Sequence, residues 1–116
     1  MSSMPDDDRI RMQHMLDAAR EAVAFARERT RADLDTDRLL VLGLLKSIEI
    51  VGEAAARVKR RTRAAYPSIP WQDLIGLRNR LIHMYFEVDL DRVWDTVTND
   101  LPPLILGLQS ILCPQA

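Results

Sequence analysis

WQDLIGLRNRLIHMY, Trp71 to Tyr85, is the stretch from which the fold is read. At about 100° per residue, Gln72, Asp73, Gly76, Asn79, Arg80 and His83 fall along one polar stripe. Trp71, Leu74, Ile75, Leu81, Ile82 and Tyr85 form an apolar arc. The pattern predicts a single amphipathic helix of about four turns. Pro70 stands at its entrance, where a missing N–H costs nothing, and Asp73 falls in the positive first turn. Arg78 breaks the pattern, since it lies in the middle of the apolar arc. A charge there is costly unless it is paired and hydrogen-bonded, so a buried Arg78 with a carboxylate partner is expected.

The flanking segments supply more helices. Pro5 and Asp6, Asp7 and Asp8 suit a helix start, with negative charge at the positive end of the dipole. Ile10, His14 or Met15, Ala18, Ala22 and Phe25 or Ala26 continue it as a stripe to about Arg29. His14 has no partner at ligand spacing and reads as packed or solvated. A polar turn follows, in which Asp33, Asp35, Thr36 or Asp37 could cap the next helix.

That second helix is expected from about Arg38 to Arg60 or beyond, with Val41, Leu44, Ile48, Val51, Ala55 and Val58 on one face. Leu39, Leu42, Leu45 and Ile50 widen the apolar girth, as in a helix central to a bundle or shared with another subunit. Its polar stripe is Lys46, Glu49, Glu53, Arg57 and Arg60, and either Glu53 or Glu49 is a candidate anion for Arg78. Beyond Tyr85, a short turn at Phe86 to Asp89 leads into a last helix through Val93 or Trp94, Val97, Leu101, Leu104 or Ile105, Leu108 and Ile111 or Leu112. Pro102 and Pro103 remove two internal backbone bonds and predict a kink or restart there.

Length and composition agree with this reading. A chain of 116 residues fits one domain, residues 1–116, able to bury roughly two-thirds of its unfolded surface. With 47% hydrophobic residues, four glycines and little alternating β-pattern, an all-α bundle of four to five antiparallel helices is expected, the last kinked at Pro102-Pro103. The net charge of −1 is uninformative, but its distribution is not. Arg57, Lys59, Arg60, Arg61 and Arg63 crowd one segment, whereas Glu87, Asp89, Asp91, Asp95 and Asp100 follow Tyr85. A solvated helix end is one reading of the basic run. An RNA-binding patch, extended by Arg80, is the other, because clustered cations bind polyanions by counterion release.

Cys113 is the single cysteine, so no disulfide framework or cysteine-based metal site is proposed. The acidic start does not resemble a secretory signal, and no apolar run approaches the ~20 residues of a membrane span. A cytoplasmic protein with no membrane partner is expected.

The chemistry of the polar stripe points to RNA, whose 2′-hydroxyl is a built-in nucleophile. His83 has an imidazole able to move a proton near neutral pH, and Arg78 can hold a phosphate through charge-assisted hydrogen bonds. Asn79 could orient either group. Gly76 leaves room for close approach. On a single helix Arg78 would point about 140° from His83, so two copies related by a twofold would more readily build one cleft.

Arg78, His83 and Tyr85 form the pattern R-x4-H-x-Y, flanked by Gly52-Glu53-Ala54, Pro67 to Trp71, Val93-Trp94 and Asp100-Leu101-Pro102. In these respects the chain resembles the HepT family of HEPN-domain ribonuclease toxins, from about Leu39 to Pro102. The resemblance implies a HEPN-type bundle and a homodimeric endoribonuclease with Arg78 and His83 catalytic and Asn79 and Glu53 supporting. It also implies a nucleotidyltransferase antitoxin of the MntA type that adenylylates Tyr85. No cofactor is implied. The alternative is a non-catalytic HEPN-like docking subunit for such a nucleotidyltransferase.

Overall fold

Asp6, Asp7 and Asp8 open the first long helix, α1 (Asp6–Ala26), as the dipole argument requires. The computed structural model describes residues 4–83 and 87–113. The chain leaves α1 three residues earlier than the apolar stripe suggests. Arg27 is extended, and Glu28 takes a left-handed backbone with φ of 62°. A short helix, α2 (Asp33–Thr36), occupies the polar turn. Asp37 then caps α3 (Arg38–Arg57), its carboxylate accepting the Leu40 N–H at 3.0 Å. The candidate cap is therefore realised by the last of the four polar residues.

The pairing of α1 with α3 is antiparallel, as three contacts in register demonstrate. Asp8 meets Lys59 and Thr62, Glu21 accepts from Ser47, and the Phe25 ring lies against Gly43. Met12, Met15, Leu16, Ala19 and Ala22 of α1 are buried against Val41, Leu44, Ile48, Val51 and Ala55 of α3. His14 is exposed to solvent.

The second helix stops short of Arg60. The chain turns extended at Val58 and Lys59 and restarts as α4 (Arg60–Ala65). Asp8, 1% exposed, explains the break. Its carboxylate accepts the Lys59 backbone N–H at 3.1 Å and the Thr62 hydroxyl at 2.5 Å. A buried carboxylate needs such donors, and this one ties the first turn of α1 to the basic segment.

The signature stretch is not one helix. It consists of α5 (Trp71–Ile75) and α6 (Leu77–Leu81), hinged at Gly76, and then of strand β1 (Ile82–His83). Strand β2 (Glu87–Val88) pairs with β1 antiparallel, Ile82 opposite Val88 and His83 opposite Glu87. Helix α6 ends because the Leu81 carbonyl accepts the Asp89 N–H at 2.8 Å, a long-range bond that replaces the next helical one. β-Branched Ile82 and Val88 suit the extended pairing. Upstream, Trp71 is buried and its indole N–H donates to the Tyr66 carbonyl at 3.0 Å, which fixes the entry through Pro67 and Pro70.

The last helix begins as α7 (Leu90–Asp95), capped by Asp89, and ends as α8 (Leu101–Leu112). Between them Thr96–Asp100 is π-helical. The prolines account for this: Pro102 and Pro103 lack N–H groups and their rings crowd the carbonyls of the preceding turn, so that turn widens instead of breaking. Val93, Val97, Leu101, Leu104, Leu108 and Leu112 remain on one buried face. Arg9 of α1 donates to the Leu112 carbonyl, so α8 also runs antiparallel to α1. Among the described residues the architecture is an all-α HEPN-like bundle carrying one two-stranded pair.

Gly52 sets the distance between α3 and α5. A Cβ there would lie 2.8 Å from the Leu74 carbonyl oxygen, which is backbone and cannot swing aside. Gly52→Ala is expected to destabilise by about 1–3 kcal/mol, as overpacking does. Gly43→Ala is the control: its Cβ would meet only the Phe25 ring at 3.4 Å, so the gain in helix propensity offsets the contact. Thermal unfolding followed by circular dichroism should show a clear drop in Tm for the first and little change for the second.

Candidate functional site

The close approach at Gly52 brings α5 and α6 onto the polar stripe of α3. Arg78, on α6, extends its Nε to Oε2 of Glu49 at 3.3 Å. Lys46, one turn earlier on α3, donates from Nζ to Oε1 of the same carboxylate at 3.1 Å. The side chains of Arg78 and Lys46 are 63% and 68% exposed, while Glu49 between them is 29% exposed. Arg78 is thus not buried, contrary to the helical wheel. With α6 ending at Leu81, the arc on which it would be enclosed does not exist.

The Lys46 ammonium is the main influence holding the Glu49 carboxyl below its usual range. Partial burial opposes this, and Arg78 adds to the lowering. Glu49 therefore stays ionised well into mildly acidic conditions and keeps its grip on Arg78. Of the two candidate anions, Glu49 is the partner. Glu53, a turn further on, is exposed. Leu42, Leu45, Ile48, Leu81 and Ile82 join the three charged residues around a notch of about 250 Å³.

The notch continues into an apolar surface. Leu42 also lines a wider depression of about 570 Å³ with Phe25, Arg29, Asp37, Leu39, Leu40 and Gly43. Phe25, Leu39 and Leu42 are 43%, 81% and 46% exposed. The amphipathic pattern of α3 contained this surface, because its apolar girth exceeds what one neighbouring helix can cover.

His83 follows Arg78 across the helix-to-strand junction, with its backbone in β1. The angular and axial separation expected on one continuous helix does not apply, and neither does the one-turn spacing of Gly76, Asn79 and His83. Asn79 is exposed on α6. Tyr85 lies outside the described residues.

The basic run divides between the end of α3 and α4. Arg57, Lys59, Arg60 and Arg61 are exposed and Arg63 is half-buried, its Nε without a hydrogen-bond partner among the described residues. Arg57 continues the face that carries Glu49, about 12 Å along the α3 axis at the usual helical rise. Arg80 belongs elsewhere. It pairs with Asp73 at 3.1 Å and lines an open basin with Asp89, Asp91, Arg92, Asp95 and Asp100. Burial first, and then the charges of Asp95 and Asp73, raise the Asp100 carboxyl above its ordinary range, with Arg80 opposing.

The family described as Ribonuclease HepT-like matches residues 15–111. A protein of Thermococcus cleftensis named "Probable ribonuclease HepT" is 35% identical over 80 residues, covering 69% of this chain and 73% of the relative. "Putative RNase MJ1380" of Methanocaldococcus jannaschii is 29% identical over 90 residues, or 78% of this chain and 83% of the relative. "Putative RNase TTE0752" of Caldanaerobacter subterraneus subsp. tengcongensis is 28% identical over 101 residues, 87% and 90% of the two chains. No solved structure matches.

Asp100 yields a pH prediction. Its native pKa is raised, so its ionisation costs stability in full above that value, and the cost disappears below the unfolded pKa of about 4. Asp100→Asn is expected to raise Tm slightly at pH 7 and to leave it unchanged near pH 3. Solvent screening keeps the gain below about 0.5 kcal/mol. Paired melts at the two pH values measure it.

Proposed function

The chain belongs to the family of HepT-like ribonucleases, and we propose that it is a metal-independent endoribonuclease acting as a homodimer. The observation that carries this reading is Arg78, anchored by its Nε on Glu49 at the mouth of a notch, with its terminal amino groups, unpaired among the described residues, left to meet a phosphate. Guanidinium groups bind phosphate oxygens by paired charge-assisted hydrogen bonds, and they gain most where charge develops on the phosphorane.

His83 supplies the proton transfer. As a base it takes the 2′-hydroxyl proton while the 2′-oxygen attacks phosphorus. The bond to the 5′-oxygen then breaks as that oxygen takes a proton from the imidazolium, which returns His83 to its neutral form. The products are a 2′,3′-cyclic phosphate and a 5′-hydroxyl. RNA brings its own nucleophile to this reaction, so a metal-activated water is not required. Asn79 orients the reacting groups and Glu49 holds Arg78 in place, the role earlier weighed for Glu53. Arg57, Lys59, Arg60, Arg61 and Arg63 bind the strand beyond the cleavage point. Arg80 contributes less, because carboxylates surround it.

Dimerisation is supported by the apolar surface of Phe25, Leu39 and Leu42, which adjoins the notch through Leu42. A second copy seated there buries these side chains and brings its own Arg78 and His83 toward the same cleft. In its genetic setting the activity is that of a toxin, held in check by a nucleotidyltransferase of the MntA type. Nucleotide added to Tyr85 puts phosphates where the substrate's would lie. The exposure of Arg78 favours an enzyme over a docking subunit, in which an enclosed, fully paired guanidinium is expected.

Cleavage of total RNA in EDTA tests the chemistry. Arg78→Ala and His83→Ala should each lose at least about a hundredfold in rate, the lower bound for a general acid–base group. Equal activity in wild type and both variants rejects the reading. Leu42→Glu should convert the dimer to monomer by sedimentation and reduce cleavage in parallel. A monomeric wild type would remove the composite site.

A further inference from the structure

We infer that Lys46 is a second phosphate ligand of the RNA site, contacting the strand on the side of Arg78 opposite the basic run. The inference rests on the ribonuclease reading. Glu49 receives a cation on each carboxylate oxygen, Lys46 on Oε1 and Arg78 on Oε2. The two cations are mostly exposed and the carboxylate is the more buried member. The arrangement therefore turns donors outward and its acceptor inward, with one net positive charge. Among the described residues, Lys46 uses one of three ammonium donors on Glu49, and Arg78 uses Nε alone. Both side chains line the notch and are mostly exposed.

Helix energetics give no reason for the Lys46–Glu49 pair. A lysine preceding its glutamate is the less favourable order with respect to the helix dipole, and an exposed pair of this kind contributes only a few tenths of a kcal/mol. Its geometry makes sense as a second phosphate contact. Along α3, Lys46 lies about 4.5 Å before Glu49, and Arg57 lies about 12 Å beyond it, at 1.5 Å per residue. Arg78 sits between them at the level of Glu49. A strand whose scissile phosphate rests on Arg78 and whose one flank crosses Arg57 and α4 passes Lys46 with its other flank. Without Lys46 the next cation toward that flank on α3 is Arg38, about 12 Å further along the axis at 1.5 Å per residue.

The test measures kcat/KM for cleavage of total RNA at 50 and 200 mM NaCl in wild type, Lys46→Met, Lys46→Arg and Arg31→Met. Arg31 pairs with Asp35 and Asp91 away from the notch, and its variant removes the same charge. Lys46→Met should lower kcat/KM three- to tenfold at the lower salt, through KM. It should also make the salt dependence shallower by about 0.7 in the log–log slope, one phosphate contact on a single strand. Lys46→Arg should restore both. Lys46 and Lys59 are the two lysines of the chain, so bound RNA should also protect Lys46 from reductive methylation, read by mass spectrometry. If Lys46→Met matches Arg31→Met and methylation of Lys46 is unaffected by RNA, while Arg78→Ala is inactive, this inference fails and the ribonuclease reading stands. If wild type and Arg78→Ala cleave equally, the reading itself fails.

Discussion

The Leu74 carbonyl oxygen stands 2.8 Å from the place a Cβ on residue 52 would take, and the site depends on that proximity. With a larger residue α5 could not lie directly on α3, and α6, hinged to it at Gly76, would stand away with it. Arg78 reaches Glu49 because the two backbones come this close. The single ion pair is weak, as exposed pairs are. Its direction is fixed by the helices that carry it and not by its own strength. A second constraint acts at the other end of α3, where Asp8 captures Lys59 and Thr62 and sets the angle at which the basic segment leaves the bundle.

These two constraints distribute charge in a way that net charge conceals. Cations line α3 from Lys46 toward α4, and carboxylates gather around Arg80 between α6 and the π-helical turn. A polyanion approaching the chain is drawn to one side and repelled from the other. Arg78 and Arg80 lie two residues apart on α6 yet face these opposite environments.

The bundle was legible in the sequence because helical periodicity reports burial directly. The faces read for α3 and for the last helix are the buried ones, and Asp37 caps where a polar turn promised a cap. The signature stretch misled for an equally physical reason. Its apolar residues recur at helical spacing over Trp71 to Leu81, and nothing local marks Ile82 as the point of exit. The exit depends on Asp89, a partner eight residues downstream whose N–H takes the Leu81 carbonyl. Arg78 seemed enclosed only because the wheel continued past that point. The break at Val58 was likewise invisible, since its cause, Asp8, lies some fifty residues earlier. The choice between Glu49 and Glu53 turned on where α6 crosses α3, which no spacing within α3 can give.

The π-helical turn ahead of Pro102 bears on how this chain tolerates change in length. An α-turn advances the buried face by a fixed rotation, and the wider turn at Thr96–Asp100 absorbs one residue more than that rotation allows. Loss of one residue there would let the turn close to an ordinary α-turn with Leu101, Leu104 and Leu108 still facing the core, whereas one residue more would rotate them away from it. The segment is thus a reservoir of one surplus residue, tolerant of shortening by one and intolerant of lengthening.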